Sequence, residues 1–198
     1  MTLRVGVCVS GRGTNLQALI DACRDGRLDA RIVYVASSRK AAPALERAKL
    51  AGLPAEAFPP AANGGRDAAQ LLMASRLVAA DVELVVLAGY DRILCDAFFE
   101  RLGDVPVINI HPALLPAFGG LNGMRVHEAV LASGVRETGC TVHRAHARRL
   151  DEGEILVQRR VPVLPGDDAE SVAARVLVEE HRAIVEAVAR FARPIARV

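Results

Sequence analysis

Short β-branched apolar runs alternate with stretches of helical spacing through most of this chain, and that alternation limits the folds open to it. Residues 3–9 read Leu-Arg-Val-Gly-Val-Cys-Val, and residues 31–36, 83–88 and 105–110 are of the same kind. Between them Leu16, Leu19, Ile20 and Cys23 recur at helical spacing, and residues 41–51 and 67–80 read as further helices. Strands this apolar are covered on both faces, and strands joined through helices run parallel. Past residue 110 the pattern changes. Residues 140–143 and 154–163 read as strands with little helix between them, most simply an antiparallel addition to the same sheet. Asp168 is placed to cap a closing helix over residues 169–191. The expected fold is α/β: a single-domain Rossmann-like parallel sheet flanked by helices over residues 1–198, with an antiparallel extension in its C-terminal half. Residues 1–110 would form a phosphate-binding half and residues 111–198 the remainder with the closing helix.

Composition removes several classes of function. A chain of 198 residues, 52% apolar and 24% charged, can bury a sizeable core. A net charge of +2, with two Tyr, five Phe and no Trp, argues against a nucleic-acid partner and base-stacking platforms. No apolar run approaches the roughly 18 residues of a membrane helix, and Met1-Thr2-Leu3-Arg4 leads directly into a strand without a signal-peptide plan. The four cysteines are scattered with no Cys-x-x-Cys; Cys8 and Cys140 lie in strand-like runs and read as buried thiols. A reduced, cytoplasmic setting follows. His143-x-x-His146 is the nearest approach to metal-ligand spacing and does not make a site, so no metal is expected.

Two segments carry chemistry. The first is Ser10-Gly11-Arg12-Gly13-Thr14-Asn15, between the first strand and the first helix. Glycines let backbone approach an anion, and the helix start offers free N–H groups, so the loop suits a phosphate. A tight ligand-free turn is the plainer alternative. Leu16 stands where a dinucleotide fingerprint has its third glycine, no acidic residue ends the second strand, and no Gly-Lys-Ser/Thr follows. Ser37-Ser38-Arg39 could meet a 2′-phosphate, which keeps an NADP-linked reductase among the alternatives.

The second segment is Asn109-Ile110-His111-Pro112-Ala113-Leu114-Leu115-Pro116. Asn109 and His111 share one face at a strand's C-terminal end, the edge where open α/β sheets bind ligands. An amide beside an imidazole can hold a developing oxyanion, and the imidazole can move a proton. Asp151, before Glu152-Gly153, is either a hairpin residue or the carboxylate that orients that imidazole and raises its pKa. His127, His146 and His181 read as surface or packing residues.

Together with Leu87-Ala88-Gly89-Tyr90-Asp91-Arg92-Ile93-Leu94, Gly139-Cys140-Thr141-Val142-His143, Leu150-Asp151-Glu152-Gly153 and Glu180-His181, these segments resemble the phosphoribosylglycinamide formyltransferase family over nearly the whole chain. The resemblance implies a formyltransferase fold whose second half carries the folate and catalytic functions. It implies transfer of the formyl group from the co-substrate 10-formyltetrahydrofolate to the amine of glycinamide ribonucleotide, in de novo purine biosynthesis. Gly13, Thr14 and Asn15 would hold the substrate phosphate, and Glu180 the ribose hydroxyls. Arg66, Arg92, Ile93, Leu94 and Asn109 would meet the folate. Asn109, protonated His111 and Asp151 would be the catalytic trio, with no metal. The partners implied are these two small molecules, without nucleic acid or membrane, and a homodimer is compatible with the family. Asp91 departs from an apolar Met common in the family. The interval from His143 to Asp151 is one residue longer and holds the basic stretch 144–149.

Three relatives in function compete. A formyltetrahydrofolate deformylase would use the same trio with water in place of the amine. A methionyl-tRNA formyltransferase shares the Asn-x-His-Pro block. Their extra N-terminal regulatory and C-terminal tRNA-binding domains are not expected in a chain whose sheet begins at Leu3 and whose last helix nears the end. A non-catalytic phosphoribosyl or folate binding protein is the third.

Overall fold

The computed structural model describes residues 2–147 and 151–192; Arg148, Arg149 and Leu150, part of the segments noted above, lie outside the described residues. Seven strands form one sheet: β1 (Leu3–Val9), β2 (Ala30–Ser37), β3 (Ala55–Ala57), β4 (Leu84–Leu87), β5 (Val107–His111), β6 (Glu137–Arg144) and β7 (Ile155–Pro162), in the order β3-β2-β1-β4-β5-β6-β7. The first five strands are parallel, and β6 and β7 add antiparallel beyond β5, as the change in sequence pattern implies.

Six helices cover the sheet: α1 (Thr14–Arg24), α2 (Pro43–Leu50), α3 (Arg66–Ala79), α4 (Asp96–Leu102), α5 (Met124–Ala132) and α6 (Ala169–Ala189). Alternate residues of the central strands feed two cores. Val5, Val7, Val9, Val86 and Ile108 pack with Leu16, Leu19, Ala44, Ile184 and Val188 on one face. Cys8, Val85, Leu87 and Val107 pack with Met73, Leu77 and Phe98 on the other. Burial on both faces is why these strands are almost continuously apolar. It also raises the Cys8 and Cys140 thiols to about 12, and all four cysteines are free.

The elements that the periodicity missed have local reasons. β3 is only three residues long, at the sheet edge. α4 has seven residues, and α5 opens after Gly123 at the end of a glycine-rich stretch that reads as loop. α6 starts as expected. Asp168 accepts from the Ser171 N–H at 2.8 Å while the Ser171 hydroxyl accepts from the Asp168 N–H at 2.9 Å, a reciprocal cap. Asp168→Ala should therefore lower the urea midpoint at unchanged slope; an unmoved midpoint would show that the cap contributes nothing.

The strand order reverses between β1 and β4, where β1 leads outward to β2 and β4 leads outward to β5. A crevice opens outside the carboxyl ends of strands at such a switch point. Cys8 lies beside Leu87, Leu87 beside Asn109, and Asn109 beside His143. That register brings the glycine loop, the segment after β4 and the Asn109–His111 pair to one edge.

Candidate active site

The glycine loop forms the first wall of the crevice. Gly13 sits at φ +73°, and a Cβ there would lie 2.5 Å from the Cβ of Ala44, so backbone conformation and packing both require glycine. No side chain caps α1, which leaves the N–H groups of its first turn turned toward the cavity. α2 holds the loop from behind: the Ala44 N–H donates to the Gly11 carbonyl at 3.2 Å, and Arg47 Nε donates to the Arg12 carbonyl at 2.9 Å. Asn15 Nδ2 donates to Glu180 Oε2 of α6 at 2.9 Å. Burial pushes the Glu180 carboxyl up, against the pull of Asn15 and the Arg12 charge. Asn15 Oδ1 is buried without a hydrogen-bond partner among the described residues.

Asn109, His111 and Asp151 form the second wall. Strand alternation turns both β5 side chains to one side, and β6 lies antiparallel so that His143 faces Asn109. Asn109 Nδ2 lies 3.1 Å from His143 Nε2 and 3.4 Å from Asp151 Oδ1. Asp151, at φ +56°, turns its carboxylate inward. That carboxylate accepts from the Gly120 N–H at 2.9 Å and lies 3.4 Å from His111 Nδ1 and 3.3 Å from His143 Nε2. His111 Nε2 lies 3.1 Å from the Phe118 carbonyl and Nδ1 faces the Asp151 carboxylate, so each ring nitrogen has an acceptor beside it.

Burial and charge act in opposite directions at His111 and Asp151. Burial dominates at His111 and holds its imidazole below the ordinary value; Asp151 and the Phe118 carbonyl pull upward without overcoming it. Burial thus favours the neutral form of the resting imidazole; the protonated His111 implied by the resemblance belongs to the step at which an oxyanion forms. At Asp151 burial alone would raise the carboxyl, but the His143 contact, the Gly120 N–H and the His111 charge together hold it below the usual range.

Two cavities meet at these residues. The larger, about 440 Å³, runs from the glycine loop past Glu180 to His111. The smaller, about 180 Å³, is a mainly apolar slot walled by Leu87, Ile93, Leu94, Phe99 and Ala145, with His143 and His146. Asn109, Asp151, Arg92 and Ile93 border both. Both draw on residues from either side of residue 110.

Gly13, Thr14, Asn15 and Glu180 thus line one cavity, Leu94 the other, and Arg92, Ile93, Asn109 and Asp151 the junction. Arg66 is elsewhere: exposed at the start of α3, it pairs with Asp67 at 2.8 Å and borders only a minute separate pocket beside Arg92 and Tyr90. Ser38 and Arg39, weighed for a 2′-phosphate, are engaged with Ser10 and Asp91 at the rim of the larger cavity. His127, read as surface or packing, is buried on α5 and lines the larger cavity, where burial and the His111 charge lower its pKa. Recognising α5 as a helix was the missing signal. Among the described residues no three His, Cys, Asp or Glu side chains are grouped to hold a metal ion. Among the described residues no helix is long and apolar enough to cross a membrane.

Comparison with known proteins agrees with this architecture. Glycinamide ribonucleotide transformylase 1 from Symbiobacterium toebii is 45% identical, with a TM-score of 0.90 over 96% of this chain and 87% of that one. Phosphoribosylglycinamide formyltransferase from Brucella melitensis is 37% identical, with a TM-score of 0.87 over 99% and 98%. The trifunctional purine biosynthetic protein adenosine-3 of Drosophila pseudoobscura pseudoobscura is 42% identical over 191 residues, 96% of this chain but 14% of that protein. The chloroplastic phosphoribosylglycinamide formyltransferase of Arabidopsis thaliana is 40% identical over 195 residues, 64% of its length. Residues 3–188 match the formyl transferase family model. The chain belongs to the formyl transferase family, alongside its phosphoribosylglycinamide formyltransferases.

Proposed function

We propose that this chain transfers the formyl group of 10-formyltetrahydrofolate to the amine of glycinamide ribonucleotide. The observation that carries the reading is the junction: a phosphate-suited cavity and an apolar slot share a border at Asn109 and Asp151, with His111 beside them. Such a border brings two substrates' reacting atoms together. The ribonucleotide phosphate would take the N–H groups around Gly13, Thr14 and Asn15. The ribose hydroxyls would meet Glu180 and the unpartnered Asn15 Oδ1. A flat heterocycle suits the slot lined by Ile93, Leu94 and Phe99.

Asn109 and His111 supply the donors for the formyl oxygen as charge develops there. The Asn109 contact to Asp151 is long at 3.4 Å, so that amide hydrogen is the one free to turn to substrate. The His111 Nε2–H would exchange the Phe118 carbonyl for the formyl oxygen. As the new C–N bond forms, the attacking amine gives up a proton. His111, backed by Asp151 Oδ2 at 3.4 Å from its Nδ1, would carry it, and it passes to N10 of the departing tetrahydrofolate. The products are the formamide and tetrahydrofolate, with no net proton change. The four free thiols are in keeping with a reducing cytoplasm.

The test is to incubate the protein with 10-formyltetrahydrofolate, with and without glycinamide ribonucleotide, and follow tetrahydrofolate. Amine-dependent turnover is expected. Turnover without the amine would make it a deformylase, and binding without turnover a binding protein.

A further inference from the structure

We propose that Gln70 is a positioning residue for the folate: its side-chain amide, buried on α3, fixes the backbone of the loop that presents Arg92, Ile93 and Leu94. The inference rests on the proposal that this loop meets the folate. Gln70 is 3% exposed. Its Oε1 accepts from the Cys95 N–H at 2.7 Å and its Nε2 donates to the Ile93 carbonyl at 3.0 Å. One amide thus bonds an acceptor and a donor two residues apart on one segment, as a neighbouring strand would.

The loop needs such a hold. It joins β4 to α4 without regular structure, and Cys95 caps α4 without a side-chain bond. Ile93 points away from the core, 60% exposed, and borders both cavities. Leu94 is anchored in the core and Asp91 is held by Ser10 and Arg39, but packing does little to fix Ile93 between them, and Gln70 supplies the bond to its carbonyl. Gln70 itself borders neither of the two larger cavities, only the minute pocket behind Tyr90 and Arg92. It therefore acts through the loop and not on a substrate.

The glycine loop is held by other residues, through Ala44 and Arg47 of α2. The two loops meet at Ser10, whose hydroxyl accepts from the Asp91 N–H at 3.0 Å, but the bonds of Gln70 fall beyond it, at Ile93 and Cys95, so its loss should be felt chiefly by one substrate. A glutamate at this position keeps an acceptor for the Cys95 N–H but, when ionised, offers no hydrogen to the Ile93 carbonyl. A leucine loses both bonds and leaves two part-buried backbone groups without these partners.

The experiment compares Gln70→Glu, Gln70→Leu and Ile93→Ala with wild type, measuring kcat, KM for each substrate, and Tm by circular dichroism. Gln70→Glu should raise KM for 10-formyltetrahydrofolate about fivefold or more, the factor expected of one lost hydrogen bond, and leave KM for glycinamide ribonucleotide within about twofold. Gln70→Leu should go further in the same direction; if it does not fold, Gln70→Glu carries the test. A folate KM unchanged in Gln70→Glu while Ile93→Ala raises it overturns the inference alone. A folate KM unchanged in both removes the loop from the folate site, and the inference falls with it. Both KM values rising together with a lowered Tm would mean general loosening, and would also overturn it.

Discussion

His111→Ala should lower kcat by about 10²–10⁴-fold, the usual contribution of a positioned acid–base group, with KM for the ribonucleotide little changed. The selectivity follows from placement. His111 stands where the two cavities meet, at Asp151, whereas the phosphate and ribose groups are held by the glycine loop and Glu180. Asp151→Asn keeps the shape but removes the charge behind Nδ1, and should also cost orders of magnitude. The two variants should not multiply, because they disable one proton carrier. The pH profile adds a signed test. His111 works as the neutral base, and burial holds it below the ordinary imidazole value of about 6.5, so the acid limb of kcat/KM should lie below that pH. Asp151 pulls His111 upward, so Asp151→Asn should move the limb further down. An upward shift would remove His111 from the role of base.

Stability should follow the same sign. Both groups have folded values below their unfolded ones, so each contributes stability above its unfolded pKa. The His111 share is lost first, as pH falls from about 6.5 through its lowered folded value. The Asp151 share is lost from about 3.9 downward through its own.

The sheet was legible in sequence because residues with both faces buried have little freedom: Val5, Val7, Val9, Val85 and Ile108 must be apolar, and few arrangements cover them twice. The Asn109–His111 face was legible because strand alternation is rigid. What was not legible depends on long-range contact. Nothing local says that His143, from the next strand, ends 3.3 Å from Asp151, or that His127 turns to the cavity from a helix hidden behind glycines. The sign of the His111 shift was not legible for the same reason. The resemblance pairs His111 with Asp151, and that pairing does pull upward, but the opposing burial is set by the packing around the ring. Arg66 is the converse case. Family resemblance places it at the folate; in the fold it is exposed beside Asp67 and outside the two larger cavities, a position no local pattern foretells.

Gly153→Ala should bring the second large loss, although the residue touches no substrate. A Cβ at Gly153 would lie 1.8 Å from the Arg144 carbonyl oxygen and 3.1 Å from His146 Cδ2. Backbone cannot yield to a contact that short without moving, and the segment is tied at its base by the Arg144 N–H donating to the Glu154 carbonyl at 2.9 Å. The strain must therefore shift the chain that carries Asp151, two residues earlier. Apart from the Gly120 N–H, every polar partner of the Asp151 carboxylate among the described residues lies at 3.3–3.4 Å, already near the limit for a hydrogen bond. A displacement of about half an ångström would break most of them. Overpacking of this kind costs about 1–3 kcal/mol in stability, which a urea melt would register. The kinetic loss should resemble that of Asp151→Asn, about 10²-fold or more in kcat, with KM for the ribonucleotide unchanged because the glycine loop and Glu180 stand on other elements. Wild-type kcat in Gly153→Ala would mean that catalysis does not depend on where this turn holds Asp151, and the carboxylate would lose its place in the proton path.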